Sequence, residues 1–329
     1  MVNKKISIIM RTVSKDNFLY DDYGINSAIQ MYIDCFNVQT FKDFELIFVD
    51  HFYDENKEFV KNIKTNFLLK HVPLHENHKY WANQGYTCGS GFRNTGILYA
   101  EGILVISFDD AEIFSNMLLE KYWYYYKQGL FLHAFHLGTN SPIVKNGRIQ
   151  YPYYDKFYIQ DSRDSATKEL QGHRNGGWLY AGSSYALTDL IQLNGFDEKM
   201  DGCQRDQDTN MGVRIEGLDR KFAFDKSAYI TILKHKSYKK CDYGDKNIRE
   251  IIIKDNSGFI NTVRQLKQYV ANDHKLTKKE LNIINKATEE QKGFSLDLSN
   301  DNTIKWLNTP NFNLEQERRE LRASQDWRW

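Results

Sequence analysis

Along the first third of the chain, short runs of β-branched and aromatic residues alternate with stretches of helical spacing. This rhythm predicts βαβ units around a mostly parallel sheet, an α/β fold of doubly wound type. Ile6 to Met10 reads as a buried first strand, and Ile25, Ile29, Ile33 and Phe36 recur at the interval that places them on one helix face. Phe44 to Val49 follows as a second strand. Phe59 and Ile63 mark a helix, Leu68 to Val72 a third strand, Phe92 to Ala100 a helix and Ile103 to Phe108 a fourth strand. Each strand ends in polar or acidic residues. Ligands of an open α/β sheet bind beyond the carboxyl ends of its strands, so Arg11, Thr12, Asp50, Asp109 and Asp110 are expected along one rim.

After Asp110 the rhythm changes. A Tyr- and Trp-rich helix is predicted over Leu118 to Tyr126 and a strand over Leu130 to Leu137. Asn146-Gly147 between Ile143-Val144 and Ile149 predicts a hairpin with a type I′ turn. Tyr151 to Asn175 has little periodicity and reads as a loop, a lid or an acceptor-side segment. The pattern tightens again from Gly176 to His235. Beyond Tyr243 the chain is rich in Lys, Glu and Asn and helical in spacing, with a capping-box signal in Thr277 and Glu280.

With 329 residues, 41% of them hydrophobic, the chain can bury a sizeable core. Its formal net charge of +1 provides no global field for a polyanion, which excludes general nucleic-acid binding. No apolar run approaches the roughly 18 to 20 residues of a spanning helix, and the N-terminus lacks a signal-peptide pattern, so no transmembrane segment and a cytoplasmic protein are expected. The Trp327-Arg328-Trp329 end is a candidate peripheral membrane contact. Cys35, Cys88, Cys203 and Cys241 never fall at zinc or redox spacing and read as reduced thiols. The aromatic content of 14%, with 21 Tyr, fits either core packing or a cleft in which rings stack on sugar faces.

Three segments carry candidate chemistry. VISFDDAEIF puts Asp109 and Asp110 past a buried strand with Glu112 behind them. Hard oxygen ligands at a strand end suit a Mg²⁺ or Mn²⁺ ion on a diphosphate, and they equally suit an acidic turn. In GSGFRNTGILYAEG, Arg93 opens a helix leading into that strand and can reach a diphosphate or its carboxylate neighbours, with glycines permitting close approach. In NGFDEKMDGCQRDQDTNMGVRIEGL, Asp206 and Asp208 stand where a helix begins, with Met211 and Ile215 on its later face. A carboxylate there serves as a general base or as a partner of the helix dipole.

The segments KKISIIMRT, FKDFELIFVD, FRNTGILYAEGILVISFDD and WLYAGSSYALTDLIQLNGFDEKMDGCQRDQDTNMGVRI, with ILKH after them, occur in this order over residues 4–236. Together they resemble the GT-A glycosyltransferases of the family 2 type, with a galactosyltransferase-like C-terminal segment. The resemblance implies a GT-A (nucleotide-diphospho-sugar transferase) fold. It implies a catalytic domain over residues 1–243, with a donor half to about 112 and an acceptor half after it, and a helical C-terminal extension over 244–329. It implies a metal-dependent, inverting transfer of a sugar from a UDP- or GDP-sugar to a hydroxyl of a glycan or other acceptor, in glycan or polysaccharide synthesis. Thr12 and Asp50 would contact the nucleoside base, Asp109 the ribose and Arg93 the diphosphate side. Asp110 and His235 would hold the Mn²⁺ or Mg²⁺ ion. Asp208 would be the catalytic base, with Asp206 as the alternative if the register shifts by two. Trp178, Gly182 and Gln207 would shape the acceptor pocket. The C-terminal helices are the expected surface for any oligomer or for cover of the cleft, and otherwise pack on their own domain.

Three positions depart from the family pattern: Ala111 in place of a third acid, Gln207 in place of a Glu, and His51 in place of a second Asp. Ala111 and Gln207 motivate a second reading, a carbohydrate-binding or scaffold protein on a worn GT-A fold. A nucleotidyltransferase is a third, disfavoured by the lack of a glycine-rich phosphate loop near the first strand.

Overall fold

The computed structural model describes residues 4–12, 25–84, 88–109, 112–139, 142–145, 148–154, 158–159, 169–173, 182–203, 207–233, 271–292, 299 and 301–324. In chain order the elements are β1 (Ile6–Arg11), α1 (Ile25–Asn37), β2 (Phe44–Asp50), α2 (Tyr53–Lys61), β3 (Leu68–Pro73), α3 (Gly89–Tyr99), β4 (Leu104–Phe108) and β5 (Glu112–Phe114). They continue through α4 (Leu118–Tyr126), β6 (Leu130–Thr139), β7 (Pro142–Lys145), β8 (Arg148–Tyr154), β9 (Tyr158–Ile159), β10 (Glu169–His173), β11 (Ser183–Ala186), α5 (Leu187–Gln192), α6 (Gln207–Gly217) and β12 (Lys221–Leu233). The last three are α7 (Lys278–Lys292), α8 (Asp301–Leu307) and α9 (Leu314–Ala323).

The main sheet runs β10-β12-β6-β11-β4-β1-β2-β3, with β5 paired to β12 and β9 to β6. Strands β4, β1, β2 and β3 are parallel, in the registers Ile6↔Leu104, Ile6↔Phe44 and Glu45↔Leu68. β1, β2 and β4 are buried over nearly their whole length. That is why their sequences are unbroken apolar runs rather than alternations, since helices cover both faces of a parallel sheet. β11 enters antiparallel between β4 and β6, and from there the sheet is mixed.

The segment expected as an aperiodic loop, Tyr151 to Asn175, contains the end of β8, β9 and β10. β10 lies at the sheet edge against β12, with Leu170 opposite Phe224 and a register shift between Gln171 and His173. A short, bulged edge strand has one neighbour only, so its sequence need not alternate, and periodicity could not reveal it. The predicted hairpin corresponds to β7 and β8, antiparallel with Val144 opposite Ile149; its Asn146-Gly147 turn lies outside the described residues.

Aromatic rings fill the core between the sheet and α1. Phe36 lies 5.2 Å from Phe114, which lies 4.2 Å from Phe108, and Phe44 stacks on Phe67 at 5.0 Å. Thr277 and Glu280 form the predicted capping box at the start of α7: the Thr277 amide donates to Glu280 at 2.7 Å, and the Glu280 amide donates to the Thr277 hydroxyl at 3.3 Å.

The C-terminal segments are built into the body of the fold. Asn194 and Asn272, both with left-handed backbone (φ 56° and 59°), clasp each other's chains. Asn194 donates to Ala271 O and Phe312 O, and Asn272 donates to Asn194 O and Phe196 O. Ala271 and Leu314 are fully buried in the same core as β1 and β4. Among the described residues no helix is long and apolar enough to cross a membrane.

Candidate functional site

Helix α3 presents Arg93 to the sheet rim, and its placement is over-determined. Two glycines let it sit close: a side chain at Gly91 would meet the His78 carbonyl at 2.5 Å, and one at Gly96 would meet Ile9 at 2.4 Å. At its N-terminus the Ser90 and Gly91 amides donate to Asp201 at 2.6 and 2.9 Å, so a carboxylate from 110 residues away caps the helix. Burial, and then the neighbouring charge of Glu198, push the Asp201 carboxyl up to about 7. At the other end the Arg318 guanidinium of α9 donates to the carbonyls of Ile97, Leu98 and Ala100. Between them, Asn94 donates to Phe196 O and Glu198. His78, fully buried, sits 2.7 Å from Glu198 and 3.2 Å from Glu317 of α9. Burial opposes its charge, but the two carboxylates outweigh burial and raise it to about 9.

Arg93, itself 2% exposed, ties together groups from both halves of the sheet. Its Nε donates to Ser107 at 2.9 Å on β4. Its terminal nitrogen reaches Asp109 at 3.1 Å, at the end of β4, and the Asp208 carboxylate at 3.2 Å, in the first turn of α6. A second guanidinium, Arg11 at the end of β1, binds the same Asp109 oxygen at 3.0 Å. Burial works against the charge on Asp109, but Arg11 and Arg93 together hold its carboxyl below the usual carboxylate range. A side chain at Gly89 would approach Arg11 at 3.0 Å, Gln207 at 3.2 Å and Arg93 at 3.3 Å. Gly89 is thus the floor on which three polar side chains converge.

Thr12 and Asp50, expected to touch a nucleoside base, are spent on each other. The Thr12 hydroxyl donates to Asp50 at 2.6 Å and accepts from the His51 amide at 3.0 Å. Asp50 also accepts from the Phe52 amide, Asn56 and His71 at 2.8, 3.0 and 2.9 Å. Burial pushes its carboxyl up, and these four donors overcome that and hold it low. With both oxygens doubly engaged, the Asp50 carboxylate is held fixed in the wall of the cleft that it helps to line. The cleft beside it, about 330 Å³, is lined by His51, Tyr53, Pro73, Lys79 and Asn83 among others. That is the lower end of the roughly 300–1,000 Å³ typical of small-molecule sites.

Gly182 opens β11 with left-handed backbone (φ +73°), its carbonyl accepting from the Tyr122 hydroxyl and its amide donating to Ser107 O at 2.7 Å. A side chain there would meet Ile230 at 2.9 Å, so this glycine shapes the turn itself. Gln207 is buried at the start of α6, facing Gly89. Trp178, Asp206, Asp110 and His235 lie outside the described residues. Among the described residues no group of three His, Cys, Asp or Glu side chains could hold a metal ion, and Glu112 accepts from the Asp109 amide at 2.9 Å. The structure therefore brings together Arg93, Asp109, Asp208 and Gln207, and sets Thr12 and Asp50 in a neighbouring wall. Sequence reasoning placed Arg11 on the rim without a role and took Gly89 only as one of several glycines. The signal for Arg11 was its position at a strand end, next to Thr12.

No protein-family model and no curated protein matches the chain. Solved structures do. Residues 1–349 of S. aureus TarS in complex with UDP-GlcNAc match with a TM-score of 0.55 at 16% identity, over 93% of this chain and 79% of that one. The complex of the same fragment with UDP gives 0.52 at 16% identity, over 98% and 80%. A longer TarS structure gives 0.51 at 14% identity, over 93% and 48%, so this chain spans about half the length of that one. At such identities the likeness establishes architecture: the chain has the mixed α/β fold, a central curled sheet flanked by helices, of these TarS structures, the architecture expected from the sequence.

Proposed function

We propose that this protein is a glycosyltransferase that takes a sugar from a nucleotide-diphospho-sugar, with a UDP-sugar as the first candidate donor, and passes it to an acceptor hydroxyl. One observation carries the reading: a single buried guanidinium, Arg93, joins Asp109 at a strand end to Asp208 on a helix about a hundred residues later, while a cleft of about 330 Å³ opens at Asp50, at the end of the strand next to β1. TarS, of like fold, is solved with UDP and with UDP-GlcNAc, which supports that class of donor.

In this reading the nucleoside lies in the cleft by His51, Lys79 and Asn83, and Arg93 with Arg11 faces the diphosphate. Guanidiniums held by neighbouring carboxylates are preorganised for the charge that grows on a leaving diphosphate. Asp208, 17% exposed, accepts the proton of the acceptor hydroxyl as that oxygen attacks the anomeric carbon opposite the diphosphate. The bond from that carbon to the phosphate oxygen breaks, the nucleoside diphosphate leaves with the electron pair, and the configuration inverts. Asp206 stands as the alternative base, two residues away. A divalent cation held through Asp110 and His235 would add charge to the diphosphate side. Both residues lie outside the described residues.

UDP release from UDP-GlcNAc in the presence of Mn²⁺, with water or a hydroxyl panel as acceptor, tests the reading. Asp208→Asn is expected to cut turnover by about a hundredfold or more while UDP affinity stays within about twofold. Normal turnover in this variant would reject Asp208 as the base. Ala111 and Gln207 favour one second reading, a carbohydrate-binding protein on the same fold, which predicts glycan affinity with no UDP release under any metal.

A further inference from the structure

Tyr185 sits on β11 opposite Val105 of β4, two residues after Ser183, which is opposite Ser107. Residues directly opposed in an antiparallel pair share a face, and alternate residues of a strand share it too. Tyr185 therefore lies on the face that carries Ser107, the acceptor for Arg93. The Phe196 ring stands 5.7 Å from the Tyr185 ring and 5.2 Å from the Arg93 guanidinium, so one aromatic side chain touches both.

The Tyr185 side chain is fully buried, yet its hydroxyl has no hydrogen-bond partner among the described residues. Phenylalanine would fill the same space and avoid the roughly 1–3 kcal/mol that an unsatisfied buried hydroxyl costs. Tyrosine at this place therefore points to a use for the oxygen. After burial, the strongest influence on the phenol is the negative charge of Asp208; Arg93 opposes it, and Tyr122 and Asp109 add to it. The result pushes the phenol well above its ordinary value, so it keeps its proton and is available as a donor. Arg11, on Asp109, is a further charge bound into this cluster, and His136 also acts on Asp109.

We propose that Tyr185 is a positioning residue for the base: with donor and acceptor engaged, its hydroxyl donates to the Asp208 carboxylate and fixes which oxygen faces the acceptor. The inference rests on the reading of Asp208 as the base. Arg93 meets both Asp208 oxygens, at 3.2 and 3.4 Å, and so distinguishes them poorly. A donor on the sheet side would favour one oxygen over the other.

The test is Tyr185→Phe in the full chain, alone and combined with Asp208→Asn, assayed by UDP release from UDP-GlcNAc with Mn²⁺ and by thermal unfolding. Expected are a roughly tenfold lower kcat, an unchanged KM for the donor, an unchanged or higher Tm, and no additional loss when Asp208 is already Asn, because a group acting through a removed partner has nothing left to act on. Unchanged turnover in the single variant, an equal loss in both backgrounds, or a Tm lowered by several degrees would each overturn the assignment. Full turnover in Asp208→Asn alone, or no UDP release by the unaltered protein, would instead refute the base reading and remove the basis of this one.

Discussion

Replacing Arg318 by Ala perturbs the site from the far side of the molecule, and the structure sets the expected size of the effect. The guanidinium is 5% exposed and donates to three carbonyls that end α3, with Leu98 O at 3.2 Å and Ala100 O at 2.8 Å. Burial lowers its ordinary value to about 10, which leaves it charged at neutral pH. A hydrogen bond from a charged donor contributes about 1.5–3 kcal/mol, and a cation at a helix C-terminus a few tenths to about 2. Two strong bonds would sum to the upper range, but water entering the vacated space, and Arg322, which already reaches Ala100 O at 3.4 Å, recover part of it. The expected loss is about 3–4 kcal/mol of unfolding free energy. Arg318→Lys keeps the charge but not the fork, and should recover about half. Urea denaturation at pH 7, followed by tryptophan fluorescence, measures this, with the m-value as a check that the same surface unfolds. Because α3 carries Arg93, UDP affinity should fall in the same order as stability. A loss below about 1 kcal/mol at an unchanged m-value would refute the view that α9 locks α3 in place.

Two further outcomes are expected. His78 has its folded value raised from 6.5 to about 9, so its pairing with Glu198 and Glu317 contributes fully below 6.5 and is lost as pH rises through about 9, on the order of 3 kcal/mol. His75, a titratable neighbour, is lowered chiefly by burial and then by the charge of His78, and Asp201 is raised to about 7, so urea midpoints between pH 8 and 9.5 report chiefly on His78. His78→Gln should flatten that decline, and an equal slope in the variant would dismiss the assignment. For the cation, Asp110→Ala is expected to remove the Mn²⁺-dependent part of UDP binding in calorimetry, and equal affinities with and without Mn²⁺ in the unaltered protein would take the ion out of the proposal.

Much of the donor side was legible in the residues. The runs ISIIM, FELIFV and LVISF read as central parallel strands because such a sheet, covered by helices, buries both faces of a short apolar segment, and β1, β2 and β4 occupy those places. The helix through Arg93 and the start of α6 at Asp208 followed from local spacing, and Met211 and Ile215 are buried as that spacing required. Local pattern also found the capping box of α7.

Partnership, by contrast, depends on contacts between residues far apart in the chain, and periodicity carries no information about those. That Asp201 caps α3, that Arg318 closes its other end, and that Asp50 is saturated by Thr12, Asn56 and His71 are facts about side chains meeting across strands and helices. The edge strand β10 escaped notice because an edge needs only one hydrogen-bonded neighbour and no alternation. The sequence by itself determined which segments are buried and where each strand delivers its last residue, since burial of apolar surface is read directly from composition and spacing. Tertiary structure alone decided that Arg93, Arg11, Asp109 and Asp208 share one charge-balanced cluster, because an ion pair is chosen by distance and burial in the folded chain.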